Sequence, residues 1–272
     1  MKLSIITINL NNAEGLRKTI ESVVSQTFTD YEYIVIDGAS SDGSVDIIKQ
    51  YVDKITYWVS EPDNGIFNAM NKGILKATGE YILFLNSGDW FVDKNVVKDF
   101  CESNFNEDVI SGNIILNHNE IWKTPLKEDL DFAIFYEATL PHPATFIKKE
   151  LFNTFGSYNE NNKIVSDWEF FLKCLVVKNA TYNHFDRIIS FFDLNGISSQ
   201  PEISVDIENE RESVYKTYLP LFIKSYKKID EENKTLRIHE EIYKEYMNLK
   251  NGKMGFLIHL ILFLKNKKKL YL

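Results

Sequence analysis

The run Tyr81-Ile82-Leu83-Phe84-Leu85 ends abruptly in Asn86-Ser87-Gly88-Asp89, a small-residue turn that carries one carboxylate. An apolar, β-prone segment of this kind reads as a buried strand. In a parallel α/β sheet ligands bind beyond the carboxyl ends of the strands, so Asp89 is aimed at whatever the protein handles. The same design occurs in Tyr33-Ile34-Val35-Ile36-Asp37-Gly38, and a third acid, Asp63, follows the apolar run at 55–59. Three carboxylates above one sheet suit a cation together with a hydroxyl-rich or phosphorylated ligand. The chain has neither G-x-G-x-x-G after its first strand nor G-x-x-x-x-G-K-[ST] anywhere, so the usual backbone cradles for dinucleotides and ATP phosphates are missing. A nucleotide diphosphate can still bind there if a divalent cation bridges its phosphates to a carboxylate. Asp89 suits that bridge, because Mg2+ and Mn2+ take oxygen ligands, and Asp37 suits a ribose or base contact.

The elements that must position these acids follow from periodicity. Residues 1 to about 115 alternate strand and helix patterns. Strands are expected at 3–9, 33–37, 55–59 and 81–85. Helices are marked by Leu16, Ile20, Val23 and Val24, by Val45, Ile48 and Val52, by Ile66, Met70 and Ile74, and over 94–103. Short links between them imply a mostly parallel sheet flanked by helices on both faces. Residues 110–200 are less regular. There, 109–116 reads as a strand or hairpin arm, 144–147 as a short strand, and 148–155 and 168–177 as helices, the latter opened by Ser166 or Asp167. From about 203 the chain is helical and charged. The organisation predicted is one α/β domain over 1–200 and a C-terminal helical extension over 201–272.

Composition narrows the class. With 272 residues, 44% hydrophobic and 14% aromatic, the chain can bury a full core. A formal net charge of -8 argues against nucleic-acid binding, which needs a basic footprint. Cys101 and Cys174 lack a CxxC spacing and read as free core thiols in a reducing compartment. The apolar N-terminus is too short for a secretory signal, and no run reaches the ~18 apolar residues of a spanning helix. These features predict a cytoplasmic protein. The segment from Met254 to Leu264 is nearly all apolar and is followed by Lys265, Lys267, Lys268 and Lys269. It reads either as a core-packing helix with a basic end or as an interfacial anchor on the inner face of the membrane.

An ordered set of motifs adds to this reading. Ser4-Ile5-Ile6-Thr7-Ile8-Asn9, Glu21-Ser22-Val23-Val24-Ser25-Gln26-Thr27 and Ile36-Asp37-Gly38-Ala39-Ser40-Ser41-Asp42-Gly43-Ser44 open the series. Glu61 through Gly73, Asn86-Ser87-Gly88-Asp89, Pro141-His142-Pro143-Ala144-Thr145-Phe146-Ile147 and Val165-Ser166-Asp167-Trp168-Glu169-Phe170 continue it. Together they resemble family 2 glycosyltransferases of the GT-A fold, of the bacterial surface-polysaccharide type, over roughly residues 1–200. The resemblance implies that Thr7 and Asn9 line a nucleotide pocket, that Asp37 holds the base or ribose, and that Asp63 contacts the same half. It implies Asp89 as the metal ligand, at the last acid of a DxD-type motif, and Asp167 as the catalytic base. Asn71 and His142 join the nucleotide-sugar set, although His142, between two prolines, is equally a rigid-turn residue. Lys72, beside Asn71, is equally a solvated lysine or a phosphate contact. The first acid of the motif is Asn86 here, which leaves one strong charge, and no histidine stands near residues 191–198 where some members supply a further ligand.

The chemistry implied is transfer of a sugar from a nucleotide-sugar donor to a saccharide or lipid-linked saccharide acceptor, with Mn2+ or Mg2+ as cofactor. A cation would stabilise the departing diphosphate while a carboxylate takes the acceptor's proton, and in-line attack inverts the anomeric carbon. Val165, Trp168 and Phe170 would desolvate Asp167 and raise its basicity. A helix-capping role for Asp167 can coexist with this, and Asp42, before a helix, is expected to be an N-cap. Two rivals remain. A catalytically inactive sugar-nucleotide-binding subunit would explain Asn86. A sugar nucleotidyltransferase would need a glycine- and arginine-rich loop after the first strand, which residues 10–15 do not provide.

Overall fold

The computed structural model describes residues 1–116, 120–125, 129–194, 196 and 203–251. The apolar and lysine-rich tail from Met254 to Lys269 lies outside the described residues. The first half follows the expected alternation: β1 (Leu3–Asn9), α1 (Ala13–Val24), β2 (Tyr31–Asp37), α2 (Ser44–Gln50), β3 (Tyr57–Ser60), α3 (Ile66–Lys76) and β4 (Tyr81–Phe84). These four strands are parallel in the order β3-β2-β1-β4. Their sequences are continuous apolar runs because both faces of the sheet are covered, and all four β4 side chains are buried. Burying each large apolar side chain contributes about 1.5–3 kcal/mol.

The second half departs from a parallel sheet. β5 (Trp90–Phe91), α4 (Val96–Glu102), β6 (Val109–Leu116), β7 (Ile121–Trp122), α5 (Phe132–Glu137), β8 (Thr145–Lys148), α6 (Lys149–Phe155), α7 (Ser166–Phe171) and β9 (Tyr182–Phe192) follow. β8 pairs antiparallel with β4, β6 antiparallel with β8, β9 parallel with β6, and β5 antiparallel with β9. β6 also forms an antiparallel arm with β7, so it is both strand and hairpin arm. The result is a mixed sheet, parallel in its first half, with helices packed on it.

Two local expectations are corrected. Asp42 does not cap α2; Gly43, at φ 96°, takes that position. Asp42 instead accepts from the Ser44 amide and hydroxyl with one oxygen and from the Ala13 amide with the other, so it holds the first amides of two helices. α7 begins after Val165 with no side-chain cap, which leaves Asp167 in the first turn rather than at the cap. Beyond Phe171 the helix widens into a π-helical segment, Leu172–Val177.

α8 (Ser204–Tyr218) and α9 (Pro220–Asn251) form the helical extension. The chain divides into two compact units, residues 1–214 and residues from 215. Within the first unit Glu210 of α8 binds the amides of Lys163, Ile164 and Val165, and Arg211 donates to the Ala138 carbonyl. Cys101 and Cys174 are free, and burial pushes their thiols up to about 11 and about 12. Among the described residues no helix is long and apolar enough to cross a membrane.

Candidate active site

Strand register aligns the first group of site residues. Asn9 of β1 stands level with Asp37 of β2, and Asp37 level with Ser60 of β3, so the three form a row at the carboxyl edge of the sheet. The fully buried Asp37 carboxylate accepts from Asn9 Nδ2 at 2.8 Å, from the Ser40 amide at 2.9 Å, and from the Ser40 and Ser60 hydroxyls at 2.6 Å each. Burial alone would push its pKa up, but these four donors outweigh burial and hold it below the ordinary carboxylate value. Ala39 reaches φ 62° to turn Ser40 onto the carboxylate, a left-handed conformation that costs a residue with a Cβ about 1 kcal/mol or more. Asp63 closes the row from the other side. A Cβ on Gly38 would collide with Asp63 Oδ2, so only glycine lets that carboxylate approach. Asn9 Oδ1 is buried and has no partner within the chain, a vacant acceptor at the floor of the row.

The second group is the turn after β4. Asp89 donates its amide to the Asn86 carbonyl, which closes residues 86–89 into a turn. Buried Thr19 of α1 anchors it: the hydroxyl donates to the Asp89 carbonyl at 2.7 Å and accepts from the Gly88 amide at 3.1 Å. The Asp89 carboxylate, only 6% exposed, accepts from the Asp193 amide at 2.9 Å. Burial, with the Asp193 charge as a smaller contribution, pushes Asp89 up to about 8 despite that bond. Gly88, at φ 108°, lets Asp193 pack close, since a Cβ there would stand 3.0 Å from Asp193 Oδ2. Asn86 Oδ1, at the other end of the turn, is buried without a partner. Thr19→Val, which keeps the shape but strands the Gly88 amide, should lower unfolding free energy by about 1–3 kcal/mol in a denaturant titration.

The third group surrounds Asp167. His142 Nε2 lies 2.8 Å from Tyr158 Oη, and the His142 ring stacks on Phe84 with centroids 4.8 Å apart. Burial lowers the His142 pKa, and the charge of Asp167 opposes that shift; burial first and Asp167 second raise Tyr158 well above its usual value. The Asp167 charge therefore acts on both groups. Its chain neighbours Val165, Trp168 and Phe170 are buried, and Asp167 itself is half-buried.

Two more of the expected contact residues are engaged within the chain. Thr7 donates to the Leu85 carbonyl at 2.7 Å beneath the strand ends. Asn71 clamps the 158–160 segment, donating to the Tyr158 carbonyl and Glu160 and accepting from the Tyr158 amide. Lys72 pairs with Glu61 at 2.8 Å. Sequence reasoning missed Thr19 and Asp193. The signal for Asp193 was present: Ile188-Ile189-Ser190-Phe191-Phe192 is another apolar run that ends in an acid.

The chain as a whole is similar to known proteins. Residues 4–163 match the Glycosyl transferase family 2 profile. A glycosyltransferase of Mycobacterium tuberculosis is 31% identical over 217 residues, covering 74% of this chain and 79% of that one. A PGL/p-HBAD biosynthesis glycosyltransferase of Mycobacterium bovis is 30% identical over 199 residues, covering 67% and 77%. Among solved structures, S. aureus TarS 1-349 in complex with UDP-GlcNAc superposes with a TM-score of 0.61 at 21% identity, over 71% of this chain and 58% of that one. The mannosyltransferase PcManGT from Pyrobaculum calidifontis, in complex with GDP-Man and Mn2+, gives 0.54 at 14% identity, over 70% and 56%. The fold is that of GT-A glycosyltransferases, and the chain belongs to glycosyl transferase family 2, as a nucleotide-sugar-dependent glycosyltransferase.

Proposed function

We propose that this enzyme is an inverting glycosyltransferase of surface-polysaccharide synthesis, acting on a saccharide hydroxyl of a growing or lipid-linked chain. The observation that carries the reading is the register-aligned row of Asn9, Asp37 and Ser60 beside the carboxylates of Asp89 and Asp193. The row suits a nucleoside, with Asp63 and the vacant Asn9 Oδ1 offering acceptors to base and ribose donors while the saturated Asp37 carboxylate fixes Asn9, Ser40 and Ser60 around them. TarS in complex with UDP-GlcNAc and PcManGT in complex with GDP-Man agree with a nucleotide-sugar donor here.

The turn fits a divalent cation, Mn2+ or Mg2+. The Asp193 carboxylate packs on Gly88, the Asp89 carboxylate holds the Asp193 amide and is buried at a cost to its ionised form, and Asn86 Oδ1 adds a neutral oxygen without a partner. Asp89 would hold the ion, with Asp193 and Asn86 beside it. Among the described residues no three acids, histidines or cysteines gather as a complete site, so diphosphate oxygens would fill the remaining positions. When bound, the ion supplies Lewis-acid stabilisation of the charge on the leaving diphosphate.

Asp167 acts on the opposite side. The acceptor oxygen forms its bond to the anomeric carbon and gives its proton to Asp167, while the bond to the diphosphate breaks and its electrons leave with the nucleoside diphosphate. Transfer assays with UDP-, GDP- and dTDP-sugars, Mn2+ and lipid-linked acceptors test this directly. One donor should be consumed, and the product's anomeric coupling in NMR should be opposite to that of the donor. Retention of configuration would overturn inversion, and nucleotide binding without turnover would favour the inactive binder that Asn86 suggests.

A further inference from the structure

A cleft of about 330 Å³ opens between the start of α3, the 160–164 loop and the residues that begin α8. We propose that this cleft is the acceptor subsite, built in part by α8, and that it takes an uncharged saccharide. The proposal rests on the glycosyltransferase reading above.

Position is the first argument. Asn64 of the cleft follows Asp63, and Ile164 of the cleft stands three residues before Asp167, so the segments that carry those two acids also build its walls. The wall that leads to Asp167 is held rigid from α8: the Glu210 carboxylate accepts from the amides of Lys163, Ile164 and Val165 at 2.8, 3.1 and 3.1 Å. Three consecutive amides on one carboxylate fix the loop in a single geometry, which lowers the ordering cost of binding.

Chemistry is the second argument. Asn64, Asn68, Glu160, Asn162 and Asp206 offer amide and carboxylate groups to sugar hydroxyls, while Ile164 and Ile203 offer apolar surface to C–H faces. Several of the polar groups are pre-set. Asn68 donates to Glu160 at 2.9 Å, and Asn162 donates to Glu169 at 2.6 Å. The cleft holds two acids, Glu160 and Asp206, against one lysine, Lys163, so a uronate or phosphate would meet net repulsion. Its volume lies at the small end of the ~300–1,000 Å³ range of ligand sites, which suits the end of a saccharide and not a whole polymer.

Saturation-transfer NMR on the full chain tests this with methyl glycosides of glucose and N-acetylglucosamine, methyl glucuronoside, and UDP and GDP as nucleotide probes. In the wild type a neutral glycoside should bind and the glucuronoside should not. Ile203→Trp, which fills the cleft, should weaken glycoside binding about tenfold or more, about 1.4 kcal/mol or more, and leave nucleotide binding unchanged. Asp206→Lys, at an exposed position that tolerates substitution, should admit the glucuronoside and covers the case in which Ile203→Trp does not fold. The proposal is overturned if no neutral glycoside binds, if binding survives in a folded Ile203→Trp protein, or if nucleotide affinity falls with either variant. Failure of UDP and GDP to bind the wild type, with glycoside binding intact and lost in Ile203→Trp, would instead sink the nucleotide-sugar reading and leave the cleft standing as a saccharide site.

Discussion

Asp89→Ala is expected to lower kcat/KM for the donor by about 10³-fold, because stabilising a leaving diphosphate through a bound cation is worth several kcal/mol. Removing this carboxylate leaves one acid, Asp193, at the turn. A single exposed-side acid does not make a tight site for a hard dication. The main alternative is that Asp89 is structural, a buried acceptor for the Asp193 amide that holds β9 to the turn. Asp89→Asn separates the two, since its amide oxygen keeps the acceptor and discards the charge. Loss of turnover in both variants, with Mn2+ no longer improving nucleotide affinity in a calorimetric titration, supports the ligand role. Full activity in Asp89→Asn would end it. Asp89→Ala should also lose about 1–3 kcal/mol of stability, because it strands the Asp193 amide, whereas Asp89→Asn keeps that acceptor and should not.

How much of this was legible depends on how local the physics is. β1, β2 and β4 were readable because a strand covered on both faces must be apolar throughout, and Asp37 and Asp89 were readable as the acids that end two such runs. β9 was not. Asn183, His184, Asp186 and Arg187 interrupt it, and only its pairing with β6 and β5 makes it a strand. Asp193 ends a readable apolar run, but the contact that matters joins it to a residue 104 positions away and leaves no local trace. Thr19 carries no sequence signal beyond a polar residue on the buried face of α1, yet it holds the whole 86–89 turn. The caps failed differently. Asp42 and Asp167 sit where local rules put a helix cap, but Asp42 is shared between two helices and the chain before Asp167 is already held by Glu210. The helices α8 and α9 were legible as charged helical sequence, whereas the bonds from α8 to residues 138 and 163–165 are tertiary and left no local signal.

Asp167→Asn should reduce kcat by about 10²–10⁴-fold, the usual contribution of a positioned general base, and should leave donor affinity unchanged. The amide matches the carboxylate in shape and cannot take the acceptor's proton. A second readout separates a base from a residue that only shapes α7. The Asp167 charge works against the burial that depresses His142, so deleting it should let the imidazole pKa fall further, and histidine NMR titrations would record that as a downward shift. In Tyr158 the same charge adds to burial, so the phenol should titrate at lower pH in the variant. Both shifts with a collapsed rate place the carboxylate at the heart of the site. Both shifts with an intact rate would keep Asp167 beside His142 and Tyr158 but move the proton to another acceptor, and Glu160, in the cleft wall, would be the first to mutate.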